Sequence, residues 1–122
     1  SKAGIVKSLS VEPCDTDPCS LYKGESSTIA ITFKPDVDVK YGKAVVHGEK
    51  LFVSIPFPLP DNHLCKFVKG GCPLKAGKEY TYSNAIFIQK SYPEIDIKIK
   101  WELKDQDGEE LACIEFPAQI SS

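Results

Sequence analysis

The sequence predicts an all-β protein, an antiparallel β-sandwich of about seven short strands, and three observations predict it. Residues 94–103 read Glu-Ile-Asp-Ile-Lys-Ile-Lys-Trp-Glu-Leu, with apolar and charged side chains in strict alternation. Period two gives a strand one dry face and one wet face. Turn residues fall at regular intervals between apolar runs: Lys23-Gly24, Tyr41-Gly42, Gly70-Gly71, Ala76-Gly77 and Asp105-Gln106-Asp107-Gly108. No segment carries a helical period.

Taken along the chain, the first strand is signalled by Leu9 and Val11 alternating with Ser8, Ser10 and Glu12. In Ile29-Ala30-Ile31-Thr32-Phe33 the three large residues share a face. Further strands are expected at 43–47, 50–55, 79–90 and 110–120, the last joined to 94–104 as a hairpin. The inferred inner faces carry Ile29, Ile31, Phe33, Val53, Ile55, Ile86, Ile88, Ile97, Ile99 and Trp101, nearly all large. Packed sandwiches mix large and small residues so that their layers interdigitate. Large residues throughout suggest sheets held apart around a hollow lined with hydrocarbon, against the default of a solid core.

The segment Ile55-Pro56-Phe57-Pro58-Leu59-Pro60 closes an apolar run, Leu51 to Ile55. Proline donates nothing to a ladder, so it belongs at strand ends and sheet edges. Phe57 and Leu59 are nonetheless residues a protein normally buries. A proline-rich turn explains the prolines, and a rim facing an opening explains the apolar side chains as well.

At 122 residues the chain is expected to form one domain spanning residues 1–122. All 15 basic residues are lysines, so arginine, the usual reader of phosphate and guanine, is absent. No basic cluster carries interleaved aromatics either, and nucleic acid is excluded as an expected partner. No apolar run reaches the length of a membrane span.

Five cysteines in a short chain point to an oxidising compartment. Cys14 and Cys19 bracket Asp15-Thr16-Asp17-Pro18, and Cys65 and Cys72 bracket a glycine-containing loop. Either pair can close a local disulfide; zinc is the competing reading, though His47 and His63 lack the usual ligand spacing. Cys113 is left over as a free thiol, an intermolecular bridge, or a partner to something outside this chain. In a stapled Cys65–Cys72 loop, Phe67 and Val68 stand near the tip between Lys66 and Lys69. They either touch an anionic membrane, with the lysines as a basic collar, or fold back onto the core.

A catalytic reading finds no purchase. His47 reads as a strand-end imidazole and His63 as a solvated turn residue, and neither has an evident nucleophile or orienting partner. There is no G-x-S-x-G, H-E-x-x-H or phosphate loop. No enzyme activity, cofactor or metal is expected.

One set of motifs, in order, spans essentially the whole chain: Val11-Glu12-Pro13-Cys14 with Pro18-Cys19, Lys43-Ala44-Val45-Val46-His47-Gly48, Pro56-Phe57-Pro58-Leu59-Pro60, Tyr80-Thr81-Tyr82, Ser91-Tyr92-Pro93 and Cys113-Ile114-Glu115-Phe116-Pro117. This set resembles the soluble, secreted second type of Niemann–Pick type C proteins, within the lipid-recognition domains that include arthropod carriers and mite group-two allergens. The resemblance implies an immunoglobulin-like sandwich with an apolar cavity between its sheets, holding a sterol or fatty-acid-like lipid without chemistry. It places Phe57, Ile88 and Tyr92 at the entrance, with Val11, Ile29, Ile55, Tyr82, Ile97, Ile99 and Trp101 as walls. Phe87 stands where sterol-binding members often carry proline, and Ile114 where they often carry tryptophan. Phe87 joins the expected ligand contacts on that account.

The same resemblance implies that Cys113 pairs with a cysteine just before the residue matching Ser1, so that the chain begins directly after its partner. It further implies a monomer that makes transient membrane contact or hands lipid to a membrane sterol transporter. The absence of an N-x-S/T sequon favours a secreted carrier over one resident in the lysosomal lumen. The competing reading is an immunoglobulin-like module with a solid core that binds protein partners through its outer faces.

Overall fold

The computed structural model describes residues 3–12, 14, 19–50, 53–57, 59 and 61–122, without the side chain of Val53. Ser1, Pro13, the 15–18 segment, Leu51, Phe52, Pro58 and Pro60 lie outside the described residues. The described residues form eight strands: β1 (Gly4–Glu12), β2 (Cys19–Tyr22), β3 (Ser26–Pro35), β4 (Gly42–Lys50), β5 (Val53–Pro56), β6 (Tyr80–Phe87), β7 (Asp96–Asp105) and β8 (Glu110–Ser121). A single 3-10 turn covers Leu64–Phe67. The strands make a three-stranded sheet in the order β1-β3-β6 and a five-stranded sheet in the order β2-β8-β7-β4-β5. This is the sandwich the alternation predicts, with two strand ladders facing one buried layer.

The central strands of the two sheets are built alike. On β3 the buried positions are Ser27, Ile29, Ile31, Phe33 and Pro35; on β7 they are Ile97, Ile99, Trp101, Leu103 and Asp105. Each large side chain so buried contributes about 1.5–3 kcal/mol relative to exposure. Edge strands are looser. Val11 on β1 is half-buried opposite Ile29, while Leu9 remains 37% exposed.

Strand β2 went unanticipated, being four residues long and paired in parallel with β8 from Cys19↔Ala118 to Tyr22↔Ser121. Its start explains how β8 tolerates Pro117 inside a sheet. Pro117 pairs with Lys98 on β7, and β2 begins opposite the next residue, so among the described residues the proline faces no ladder partner on that side.

The expected hairpin joins β7 to β8, and Asp105 organises it. Its buried carboxylate Oδ1 accepts hydrogen bonds from the backbone N–H groups of Asp107 and Glu109, both at 2.9 Å, and Gly108 turns the chain at φ +77°. Both expected local disulfides are present, Cys14–Cys19 and Cys65–Cys72. Cys113 is a half-buried free thiol whose pKa is pushed up first by burial.

Asp105→Ala should lower the unfolding free energy by about 2 kcal/mol, because it strips acceptors from two turn N–H groups. Urea unfolding followed by tryptophan fluorescence checks this, and an unchanged midpoint contradicts the role given to the carboxylate.

Candidate functional site: an aromatic closure over the inter-sheet layer

At one end of the sandwich β5 is the edge strand of the large sheet, and Pro56 is its last residue, opposite His47. An edge is where a proline can end a strand without breaking a ladder. Phe57 follows at once. Its N–H still donates to the Val46 carbonyl at 3.1 Å, and its ring is only 1% exposed. The expected rim aromatic is therefore buried here and not presented to solvent.

Two features draw the ring inward. Gly48 on β4 leaves bare backbone under it: a methyl group there would collide with the Phe57 ring and come within 3.0 Å of Ile97 Cδ1. Tyr92 meets the ring edge-on, centroids 4.9 Å apart and planes at 86°. Such a pair contributes about 0.5–1.5 kcal/mol beyond the area it buries. Tyr92 is held by a turn in which its N–H donates to the Gln89 carbonyl at 3.1 Å, and partial burial raises its hydroxyl pKa.

Ile88, just beyond β6, is fully buried and anchored at both backbone groups. Its N–H donates to the Glu25 carbonyl at 3.0 Å, and its carbonyl accepts from Gly24 at 2.6 Å. Phe57 and Ile88 thus belong to one apolar cluster with Ile29, Ile97, Ile99, Trp101 and Tyr82, with Tyr92, Val11 and Ile55 packed at its margin.

Phe87 is not brought to this cluster. It sits on β6 opposite Ser26 with 49% of its surface exposed, because its parity is opposite to that of Tyr82 and Ile86. Sequence reasoning also passed over Gly48 and Asn84. A glycine inside an otherwise alternating strand signals close approach of another group, and that signal was available. Asn84 occupies an inward position between Tyr82 and Ile86, which no pattern of apolar residues reveals.

In the stapled loop the second of the two alternatives, a fold back onto the core, describes Phe67 and Val68. Val68 is buried at 4% exposure and bridges to Tyr82, and Phe67 packs against the Tyr82 ring at 6.1 Å. Both residues fold onto the core and not outward, so the loop presents no apolar tip. Lys69 is exposed, whereas Lys66 is engaged, its Nζ 3.1 Å from Asp61 Oδ2. His63, solvated as expected, donates through its backbone N–H to Asp61 Oδ1 at 2.9 Å, and its ring Nδ1 lies 2.6 Å from the same oxygen. These bonds from His63, then Lys66, hold the Asp61 carboxyl well below the usual carboxylate range. The cross-links fix the segment that follows the proline-rich lip. On the outer side of Phe57 a shallow cleft of about 230 Å³ is lined by Val46, His47, Pro56, Leu59 and Asn62 among others.

Two packed sheets, antiparallel except for β2 beside β8, with an aromatic pair at one edge of their shared layer, define an immunoglobulin-like sandwich of the lipid-recognition type. The ML-domain family model matches residues 1–120, and the chain belongs to that family. It is 39% identical to mouse "NPC intracellular cholesterol transporter 2" over 100% of this chain and 81% of the mouse protein. Against the fruit-fly homolog a of that transporter, identity is 35% over 98% of this chain and 82% of the other. A solved structure of a Niemann–Pick type C2 protein from the Japanese carpenter ant superposes with a TM-score of 0.90 at 32% identity, covering 99% of this chain and 95% of that one.

Gly48→Ala should destabilise the fold by about 1–3 kcal/mol, since the added methyl forces the Phe57 ring out of its seat. Denaturant unfolding, with the Tyr92 ring proton shifts as a local reporter, checks this. Unaltered shifts would mean that Phe57 does not depend on the bare backbone at position 48.

Proposed function

We propose that the protein is a non-enzymatic lipid carrier that holds one sterol or fatty-acid-like ligand between its two sheets, with Phe57 and Tyr92 as the closure. The observation that carries this reading is the Phe57–Tyr92 pair itself: two aromatics in edge contact, seated over a glycine, at the end of an otherwise apolar layer. A solid-core module has no use for so specific a cap at a strand edge. The relatives named as cholesterol transporters favour a sterol, and the arthropod branch of the resemblance keeps a fatty acid or semiochemical as the alternative cargo.

Ile88, Ile97, Ile29, Val11 and Ile55 supply hydrocarbon around the entrance, and Tyr82, Ile99 and Trp101 supply it deeper in. Affinity comes from burying the ligand's apolar surface, with the polar rim at Tyr92 meeting water. A ligand of about 28 non-hydrogen atoms at ~0.3 kcal/mol per atom gains about 8 kcal/mol, near micromolar affinity. Because the ring of Phe57 is buried when the layer is closed, entry requires that ring to move, and binding is coupled to opening the lip. The two disulfides suit a secreted protein, with the lysosomal lumen as the alternative setting. The carrier acts as a monomer that releases its cargo at a membrane or to a membrane sterol transporter.

Phe57→Ala and Tyr92→Ser should each weaken binding of a fluorescent sterol or fatty acid about tenfold while leaving the far-UV circular dichroism unchanged. Titrations in which both variants match the wild type would remove the closure from the binding site.

A further inference from the structure

Deep in the apolar layer a buried indole lies against a buried phenol, Trp101 beside Tyr82. Trp101 is 1% exposed, and its indole Nε1–H has no hydrogen-bond partner among the described residues. Buried polar groups left unpaired are rare in folded proteins, and each calls for a physical reason. Tyr82, fully buried, stands beside it with ring centroids 6.0 Å apart.

The state of the Tyr82 hydroxyl follows from its neighbour. Asn84 Oδ1 accepts the Ala85 backbone N–H at 2.7 Å, which fixes the amide's orientation. The group that Asn84 turns toward Tyr82 is then Nδ2, a donor, at 3.0 Å from the phenolic oxygen. Tyr82 accepts that bond, and its own O–H must donate elsewhere. Burial pushes the hydroxyl's pKa up, opposed by the Asn84 amide and the Trp101 indole, so the phenol stays protonated and remains a donor. The indole N–H, which opposes the Tyr82 shift but makes no hydrogen bond of its own among the described residues, therefore lies beside a phenol whose O–H is still to be placed.

Resting on the carrier reading above, we propose that Trp101 Nε1 and Tyr82 Oη form a deep recognition point for an uncharged acceptor oxygen, the carbonyl of a ketone, aldehyde or ester at the leading end of the ligand. A carbonyl oxygen has two lone pairs and takes two donors at once. A carboxylate is disfavoured, because no positive charge accompanies the donors and burying an unpaired charge is costly. Trp101 is four residues along β7 from Ile97, about 13 Å of strand, on the side of Ile99 away from Ile97. The ligand is thereby oriented with its carbonyl end inward and its hydrocarbon toward the entrance.

The test is competition against N-phenylnaphthylamine by a matched pair, methyl undecyl ketone and tridecane, in the wild type and in Tyr82→Phe, which keeps the ring and removes only the hydroxyl. The wild type is expected to favour the ketone about fivefold, the scale of one net hydrogen bond, and Tyr82→Phe to lose most of that preference. The chain has one tryptophan, so a single indole N–H resonance reports on the other donor. It should move downfield and exchange more slowly with the ketone but not with the alkane. Equal affinity for both probes in the wild type, a preference kept by Tyr82→Phe, or an unmoved indole resonance in the ketone complex would each overturn the proposal while leaving the carrier reading standing. Displacement by neither probe would overturn the carrier reading with it.

Discussion

Everything in this molecule depends on two central strands, β3 and β7, facing each other with the same alternation of buried and exposed positions. Each occupies the middle of its sheet, and each sends a row of large apolar side chains inward while its polar residues meet water. Burial of that shared layer is the main force joining the sheets, since hydrogen bonding within each sheet does nothing to hold one against the other. Polar positions close the rows, Ser27 early on β3 and Asp105 at the end of β7. The latter is bound into a turn, so the buried carboxylate has partners supplied by the backbone.

The lip is a consequence of where that layer meets a sheet edge. The strand at the edge of the large sheet ends in Pro56, and Phe57, its N–H still bonded to the Val46 carbonyl, turns its ring inward over Gly48. Its ring then reaches Tyr92, which arrives from the turn after β6. Three segments distant in sequence, around residues 48, 57 and 92, are thus joined by one aromatic contact. The closure is hydrophobic and local, so it can open at modest cost, in contrast to the central strands, which cannot separate without losing the fold.

Much of this was legible in the sequence where the physics is local. The alternation on β3 and β7 follows directly from strand geometry, and it placed Ile29, Ile31, Phe33, Ile97, Ile99 and Trp101 inward before any coordinates. The hairpin through Asp105–Gly108 was equally plain, because its turn chemistry is contained in four residues. What escaped depends on contacts between distant segments. Strand β2 exists because β8 lies beside it, and four residues carry too little pattern to announce that. The stapled loop left an apolar tip and a fold back onto the core equally open, because Phe67 and Val68 are apolar in either case. Their inward direction is decided by Tyr82, some fifteen residues later. Phe87 entered the expected contacts through the family position it matches, although strand parity alone separates it from Ile86. Asn84, a polar residue in an inward position, carries no hydropathy signal, yet it decides what the Tyr82 hydroxyl can do.

The Phe57–Tyr92 pair and the Tyr82–Trp101 pair are chemically distinct parts of one layer, the second carrying a buried indole N–H without a partner among the described residues. Between them the side chains are hydrocarbon or aromatic, the lining suited to a long apolar molecule. The central claim is that such a molecule is the natural occupant. Its most direct test is organic extraction of the protein purified from a eukaryotic secretion culture, followed by lipid mass spectrometry with the culture medium as control. The account predicts one class of apolar lipid enriched over the medium and approaching one molecule per chain. Extracts no richer in any lipid than the control, from protein that also fails to take up added sterol or fatty acid, would contradict it.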